Sequence, residues 1–241
     1  MQKTASMLLT KENFYEDSLP EWVRNEFSTF DSIITQSDFP CTFGMSGHKR
    51  GELRYSYITH DDWSHLPETM KEFNELFENQ ERLIRHGFFL FVEPEGEVRT
   101  LEYYRKYFWD VLQYLHNQDE EAWPEAYPKD PDHHLWSFSF AGEPYFAFGN
   151  APCYKQRKTR DLGNSLIIGF QPRRIFEGLD GSTKVGAKSR ESVRKRVEKW
   201  DQLPKHPNIS HYGDVNHREW KQYFIGDDIE PIKGKCPFSP K

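Results

Sequence analysis

Several protein classes require features that this sequence lacks or has little of. Its three cysteines include no Cys-x-x-Cys pair, which argues against a disulfide framework and against a structural zinc site. No apolar run approaches the roughly 18 residues of a membrane-spanning helix, and the run from Met7 to Leu9 is too short for a signal peptide. We therefore predict a cytoplasmic protein with no membrane partner.

Sequence motifs for common nucleotide and hydrolase sites are also missing. The chain contains no GxGxxG, no GxxxxGKS/T and no GxSxG motif, so nothing indicates a dinucleotide site, a P-loop or a serine nucleophile. The net charge of −6 argues against a nucleic-acid partner, since phosphate binding requires a clustered positive field.

What the sequence has in excess is aromatic side chains. Phe, Trp and Tyr form 16% of the residues, while charged residues form 29% and the mean hydropathy is −0.87. Aromatic rings fill a hydrophobic core, and they also suit a pocket for a flat ligand. Composition alone leaves both interpretations open.

Hydrophobic periodicity predicts helices and strands that follow one another without a regular β-α-β rhythm. Helices are predicted at 20–34, 67–85, 101–115, 189–202 and 216–224. Strands are predicted at 53–58, 88–92, 136–140, 145–148 and 165–170. We therefore predict an α+β fold. It is expected to be a single domain over residues 1–241, in which several helices pack on a small, mostly antiparallel sheet, with less regular ends at 1–18 and 226–241.

The clearest local signal is a central β-hairpin. Phe138 and Phe140 alternate with small or polar residues on one arm, and Phe146 and Phe148 do so on the other, around a turn at 141–144.

A cationic loop, residues 150–160, follows the hairpin directly. It contains four cations, and two more follow the next strand: Lys155, Arg157, Lys158, Arg160, Arg173 and Arg174. Guanidinium groups bind carboxylates through paired hydrogen bonds. The loop therefore indicates either a clamp for an anionic ligand, such as haem propionates or an amino-acid carboxylate, or a solvated basic surface.

Three side chains are candidate iron ligands. Cys41 follows a proline and precedes a Gly-rich turn at 39–44, and cations in the following residues favour its thiolate form. The C-terminal stretch adds His211 and Cys236. Thiolate and imidazole both bind haem iron, and thiolate promotes O–O cleavage. Taken singly, each residue is also consistent with an inert thiol or a surface histidine.

A second type of iron site is suggested by the run His60-Asp61-Asp62. Its His-x-Asp could form a 2-His-1-carboxylate triad for non-haem iron together with His211. Because such a short motif often arises by chance, we keep it only as an alternative.

Several short motifs are spread from residue 39 to residue 238. The first are Phe39-Pro40-Cys41-Thr42-Phe43-Gly44, Arg54-Tyr55 and Trp136-Ser137-Phe138-Ser139-Phe140-Ala141-Gly142-Glu143-Pro144. The later ones are Gly149-Asn150-Ala151-Pro152, Arg157-Lys158-Thr159-Arg160-Asp161-Leu162-Gly163, Phe170-Gln171-Pro172-Arg173, Tyr212-Gly213-Asp214 and Cys236-Pro237-Phe238. Together they cover nearly the whole chain, which resembles the YqcI/YcgG family.

The resemblance implies a haem-dependent oxygenase. Family members with a known activity hydroxylate a guanidino nitrogen of arginine or of an arginine-like compound. The chain is accordingly expected to bind haem b, to use O2 and a small guanidine- or amine-containing substrate, and to receive electrons from an external donor protein. In the members that carry this activity, histidines stand where this chain has Ala151 and at or near Tyr212.

On this hypothesis each candidate residue has a role. The axial iron ligand is expected to be Cys41, or alternatively Cys236 or His211. The residues expected to contact haem are Arg157, Arg160, Arg173, Phe138 and Phe140. Glu143, at the hairpin turn, is expected to bind the cationic guanidinium of the substrate and to be the catalytic carboxylate.

Two other functions fit the same residues. A haem-binding sensor or carrier would bind haem without forming an oxygen-dependent product. A non-haem iron(II) oxygenase would purify without the Soret band that haem gives.

Overall fold

The helices and strands of this α+β protein are seen in a computed structural model that describes residues 6–78, 85–178 and 183–241. The helices are α1 (Glu21–Ile34), α2 (Thr42–Lys49), α3 (Leu66–Glu78), α4 (Leu101–Gln118), α5 (Lys184–Asp201) and α6 (Trp220–Tyr223). The strands are β1 (Leu53–Ile58), β2 (Gly87–Val92), β3 (Phe138–Phe140), β4 (Glu143–Asn150) and β5 (Ile167–Pro172). The predicted fold class is confirmed.

The five strands form one mixed sheet in the order β1-β2-β5-β4-β3. Strands β1 and β2 are parallel, and the other three neighbouring pairs are antiparallel. Helix α3 lies in the connection between β1 and β2, which parallel neighbours need because a tight turn cannot join them. The sheet is therefore mostly antiparallel, as predicted.

The predicted hairpin is formed by β3 and β4. Its two connecting residues, Ala141 and Gly142, both have positive φ angles, of 48° and 74°. Two residues in this conformation match the right-handed twist of the flanking strands. The turn sets the pairing of Phe140 with Glu143 and of Phe138 with Tyr145.

The sheet separates two hydrophobic clusters. Strand β2 is buried along its whole length and contributes side chains to both clusters. Phe88 and Leu90 belong to one cluster, and Phe89 and Phe91 belong to the other. We call the first side the α4 face, since α3, α4 and α6 pack there. The second side is the α1 face, which is covered by α1, α2 and part of α5.

Helix α1 shows how the sequence produces this packing. Pro20 directly precedes the first turn, where its fixed φ angle and missing N–H are tolerated. Val23, Phe27, Phe30 and Ile34 are buried and recur at spacings of three or four, so they form one apolar stripe. This stripe packs on the α1 face, and the predicted helix is confirmed.

One local prediction is wrong. The segment from Phe39 was expected to begin with a Gly-rich turn, but a helix, α2, begins at Thr42 and includes Gly44 and Gly47. A Cβ on Gly47 would lie 2.9 Å from the carbonyl oxygen of Arg85, so the close approach of neighbouring backbone explains this glycine. Tertiary packing here outweighs the low helix propensity of glycine.

The start of helix α5 also differs from the prediction. Helix α5 begins at Lys184, before the predicted start at 189, because the Thr183 hydroxyl accepts the N–H of Gly186 at 3.0 Å and caps the first turn. Helix α3 is described as far as Glu78, and residues 79–84 of the predicted helix lie outside the described residues. None of the described helices is long and apolar enough to cross a lipid bilayer.

Candidate functional site

A cavity of about 280 Å³ lies on the α1 face of the sheet. The sheet contributes the apolar side chains of Leu53, Phe89 and Phe148, and α5 contributes Val193 and Val197. Mostly apolar cavities of this kind, with a few polar groups, are the usual sites for small ligands. The cavity is therefore the candidate site, and its polar residues define what it can bind.

The floor of the cavity depends on a glycine in β5. Gly169 pairs with Phe148 across the β4–β5 ladder. A Cβ at position 169 would overlap the Phe148 ring, so only glycine lets this ring lie against the sheet. The Phe148 ring therefore forms part of the cavity wall.

Cys41 lies in the cavity wall, where it is the residue before the first turn of α2. Its Sγ accepts the backbone N–H of Gly44 at 3.2 Å. Burial raises the pKa of this thiol, while backbone hydrogen bonds from Gly44 and Phe43 act in the opposite direction. The thiol is therefore protonated at neutral pH, and the N–H groups that would stabilise a thiolate are already in place.

Arg157 lies at a polar end of the cavity and is only 1% exposed. Its guanidinium donates to the carbonyl oxygens of Gly226 at 3.0 Å, Pro204 at 3.3 Å and Asp228. The Asp201 carboxylate lies 3.9 Å away. Arg157 therefore connects the segments that close this end of the cavity, and it adds positive charge to the wall.

Arg160 and Asp201 complete the polar end. The Arg160 guanidinium donates to the carbonyl oxygen of Gly149 at 3.3 Å and lies 5.7 Å from the centre of the Phe148 ring. Asp201 accepts the backbone N–H and the hydroxyl of Thr159, at 2.8 and 2.9 Å. These two hydrogen bonds attach the end of α5 to the loop after the hairpin, and this attachment positions Arg157 and Arg160.

The other residues expected to contact haem or substrate lie elsewhere. Phe138 and Phe140 are fully buried in the cluster on the α4 face. Arg173 donates to the Ser137 hydroxyl at 2.9 Å and pairs with Glu219. Glu143 is paired with the guanidinium of Arg174, so it already holds a cation of the protein itself. None of these four predicted residues lines the cavity.

The two alternative iron ligands, Cys236 and His211, are likewise not among the residues that line the cavity. Cys236 packs against the cluster on the α4 face, and burial raises its pKa to about 12. The His211 side chain is 44% exposed and lies 4.0 Å from the Asp214 carboxylate.

The non-haem alternative is not assembled in the part of the chain that the structure describes. His60 lies 3.7 Å from the Glu95 carboxylate, in a shallow surface depression that Asp62 also lines. Within residues 6–78, 85–178 and 183–241, no three His, Cys, Asp or Glu side chains are arranged to hold a metal ion.

Several cavity residues were not identified as site residues from the sequence. Val193 and Val197 are spaced by four in an otherwise basic helix, which was the available signal for a buried stripe. His206 and Asp201 are 0% and 3% exposed, and no local pattern distinguishes them from surface residues. The structure thus brings three predicted residues, Cys41, Arg157 and Arg160, to one cavity.

Comparison with known proteins gives matches over nearly the whole chain. YcgG of Bacillus subtilis (strain 168) is 36% identical over 93% of this chain and 90% of its own length. YqcI of the same organism is 33% identical over 92% and 90%. A Streptomyces lavendulae protein named "Putative N(omega)-hydroxy-L-arginine synthase DcsA" is 29% identical over 96% and 89%. No solved structure is significantly similar.

The model of the YqcI/YcgG family matches residues 30–239, a range that contains Cys41, Arg157, Arg160 and α5. The chain therefore belongs to the YqcI/YcgG family.

Proposed function

We propose that this protein is a haem-dependent monooxygenase that hydroxylates a guanidino or amino nitrogen of an arginine-like small molecule. The observation that carries the proposal is the Cys41 thiol in the wall of an apolar cavity. The similarity to DcsA, whose name describes an N-hydroxy-L-arginine synthase, supports the reaction and the substrate class.

The chemistry of the residues around Cys41 suits a haem, and the cavity of about 280 Å³ would have to widen to hold the whole macrocycle. Apolar side chains line most of the cavity, as a porphyrin requires, and Arg160 supplies a cation for propionates. The N–H of Gly44 already points at Sγ and would stabilise the thiolate that forms when iron replaces the thiol proton. Cys41 would thus hold the iron, with Arg160 on the propionate side and Arg157, whose guanidinium already binds backbone carbonyls, adding positive charge there.

Bound haem would supply the reductive activation of O2. One oxygen atom enters the N–H bond to give N–OH and the other leaves as water, which consumes two electrons and two protons from an external donor. The apolar lining would exclude bulk water from the reacting nitrogen.

A guanidinium substrate needs a carboxylate partner. Glu143 was predicted for this role, but it is paired with Arg174. Asp201 is the one carboxylate among the described residues that line the cavity, and it is almost fully buried. Asp201 would therefore orient the substrate cation, in exchange for its ion pair with Arg157 at 3.9 Å.

The axial ligand can be tested with hemin and three matched variants. We expect a saturable Soret band at one haem per chain, and a strongly red-shifted band for the ferrous–CO complex, as a thiolate ligand gives. Cys41→Ser should lose this shift, while Cys236→Ser and His211→Gln should retain it. A CO complex like that of a globin, or loss of ligation only in His211→Gln, would assign the imidazole instead.

The reaction is tested by product formation. The haem-loaded protein, supplied with O2 and reducing equivalents, should convert L-arginine or a related guanidine to a product heavier by one oxygen atom. Haem binding without such a product from a panel of guanidines and amines would favour the sensor or carrier. Iron without a Soret band would favour the non-haem enzyme.

A further inference from the structure

His206 is a buried histidine in the cavity wall with no role assigned above. Its side chain is 0% exposed, and it belongs to the segment that follows α5. Its Nδ1 accepts the backbone N–H of Asn208 at 3.2 Å. Because a neutral imidazole has one acceptor and one donor nitrogen, this bond places the hydrogen on Nε2.

The Nε2–H group of His206 has no hydrogen-bond partner among the described residues. The carbonyl group of Glu230 is close enough to favour the protonated ring, but it makes no hydrogen bond of acceptable geometry with Nε2. A buried donor without an acceptor is costly, so such groups usually bind a ligand or an ordered water molecule. His206 lines the cavity, and a small movement of its ring or of the wall would bring the buried Nε2–H to an acceptor bound there.

The surroundings of His206 favour an anionic acceptor. Burial and the charges of Arg157 and Arg160 lower the pKa of His206 to about 4, although Asp228 and the Glu230 carbonyl act in the opposite direction. The ring is therefore neutral near pH 7 and offers a fixed N–H beside two guanidinium groups. A carboxylate would accept this hydrogen and would be stabilised by the positive charge.

We propose that the Nε2–H of His206 is the hydrogen-bond donor of a carboxylate subsite in this cavity, with Arg160 as the neighbouring cation. The inference rests on the proposed function only for the identity of the ligand. A haem propionate and the α-carboxylate of an amino-acid substrate share the required chemistry.

Ligands with and without carboxylates show whether the bound carboxylate is a haem propionate or the α-carboxylate of an amino-acid substrate. For the propionates, hemin is compared with its dimethyl ester, in which both carboxylates are capped. For the substrate, L-arginine is compared with agmatine, which is arginine without its carboxylate. The binding of each probe is measured with the full-length protein, by absorption for the porphyrins and by calorimetry for the amines.

Two variants of His206 test its hydrogen-bond donor: one keeps the ring without the donor, and the other keeps a donor without the ring. His206→Phe keeps a ring but loses the donor, so affinity for the carboxylate ligand should fall roughly tenfold or more, while the capped or decarboxylated probe should be unaffected. His206→Gln keeps an N–H donor and should restore much of the affinity. His217→Gln, at a histidine that does not line the cavity, is the control and should behave like the parent protein.

Nitrogen chemical shifts of the histidine rings provide a readout on the unaltered protein. Binding of the carboxylate ligand should shift the Nε2 resonance of His206, and the capped or decarboxylated analogue should not. The subsite is refuted if His206→Phe weakens neither hemin nor L-arginine and no carboxylate ligand moves this resonance. If hemin gives no Soret band but L-arginine still shifts His206, the proposed haem chemistry fails while the subsite stands.

Discussion

The two faces of the sheet are both lined by aromatic rings, but only one face is filled. On the α4 face, the fully buried ring of Phe138 packs against Phe170, which is also fully buried, and against Phe238. On the α1 face, Phe89 and Phe148 border a cavity of about 280 Å³. The aromatic rings therefore fill a core on one side of the sheet and border an open cavity on the other.

The cysteines show the same contrast. Cys41 and Cys236 are both partly buried, and burial raises the pKa of both thiols. Cys41 borders the cavity and accepts the N–H of Gly44, whereas Cys236 packs against the filled α4 face. Burial alone thus does not distinguish the two cysteines, whereas access to an open space does.

The largest expected effect is on the filled face. Phe138→Ala should lower the free energy of unfolding by about 3–5 kcal/mol, because the ring is fully buried and its removal leaves a cavity among its neighbours. Phe148→Ala should cost less stability, since this ring is partly exposed and borders space already empty, but it should weaken hemin binding. Urea unfolding and hemin titration of both variants measure the difference, and equal stability losses would contradict it.

The second effect concerns the polar end of the cavity. Arg157→Ala should lower the free energy of unfolding by about 3 kcal/mol, because three carbonyl groups and Asp201 lose a buried charged partner. Arg157→Lys should restore little, since one ammonium group cannot reproduce the planar, branched geometry of the guanidinium. A fully stable Arg157→Ala protein would show that this arginine is available to a ligand, as the sequence suggested.

Two glycines, one on each face, give a matched pair of smaller effects. A Cβ at Gly149 would overlap Phe224 on the α4 face, and one at Gly169 would overlap Phe148 on the α1 face. Gly149→Ala should cost about 1–3 kcal/mol, because the filled face cannot relax. Gly169→Ala should cost less, since Phe148 can move into the cavity, but it should reduce hemin affinity. Thermal unfolding that ranks the pair in the reverse order would argue against a hollow α1 face.

The smallest effect concerns the attachment of α5 over the cavity. Arg196 donates to the carbonyl oxygens of Ser37, at 3.1 Å, and Phe39, at 2.7 Å, next to the Cys41 segment. Arg196→Ala should lower stability by about 1 kcal/mol and speed hydrogen exchange within α5. Lys195→Ala, in the same helix but bonded only to exposed Glu191, is the control. Equal exchange in both variants would mean that Arg196 does not hold α5.

The sequence by itself determined the elements whose signals are local. The apolar stripe of α1, the continuous apolar run of β2 and the alternation around the hairpin predicted those elements, because 3.6- and 2-residue periods are fixed by backbone geometry. The family motifs likewise indicated Cys41, Arg157 and Arg160, which the cavity brings together.

Only the tertiary structure decided which face of the sheet each side chain joins and which polar groups are left without partners. Glu143, Arg173 and the Phe138–Phe140 arm looked like site residues, but pairing with Arg174 and Glu219 and packing on the α4 face placed them elsewhere. His206 carries no local sequence signal, but the segment after α5 buries it in the cavity wall. Such placements depend on contacts between residues far apart in the chain, which local periodicity and composition do not contain.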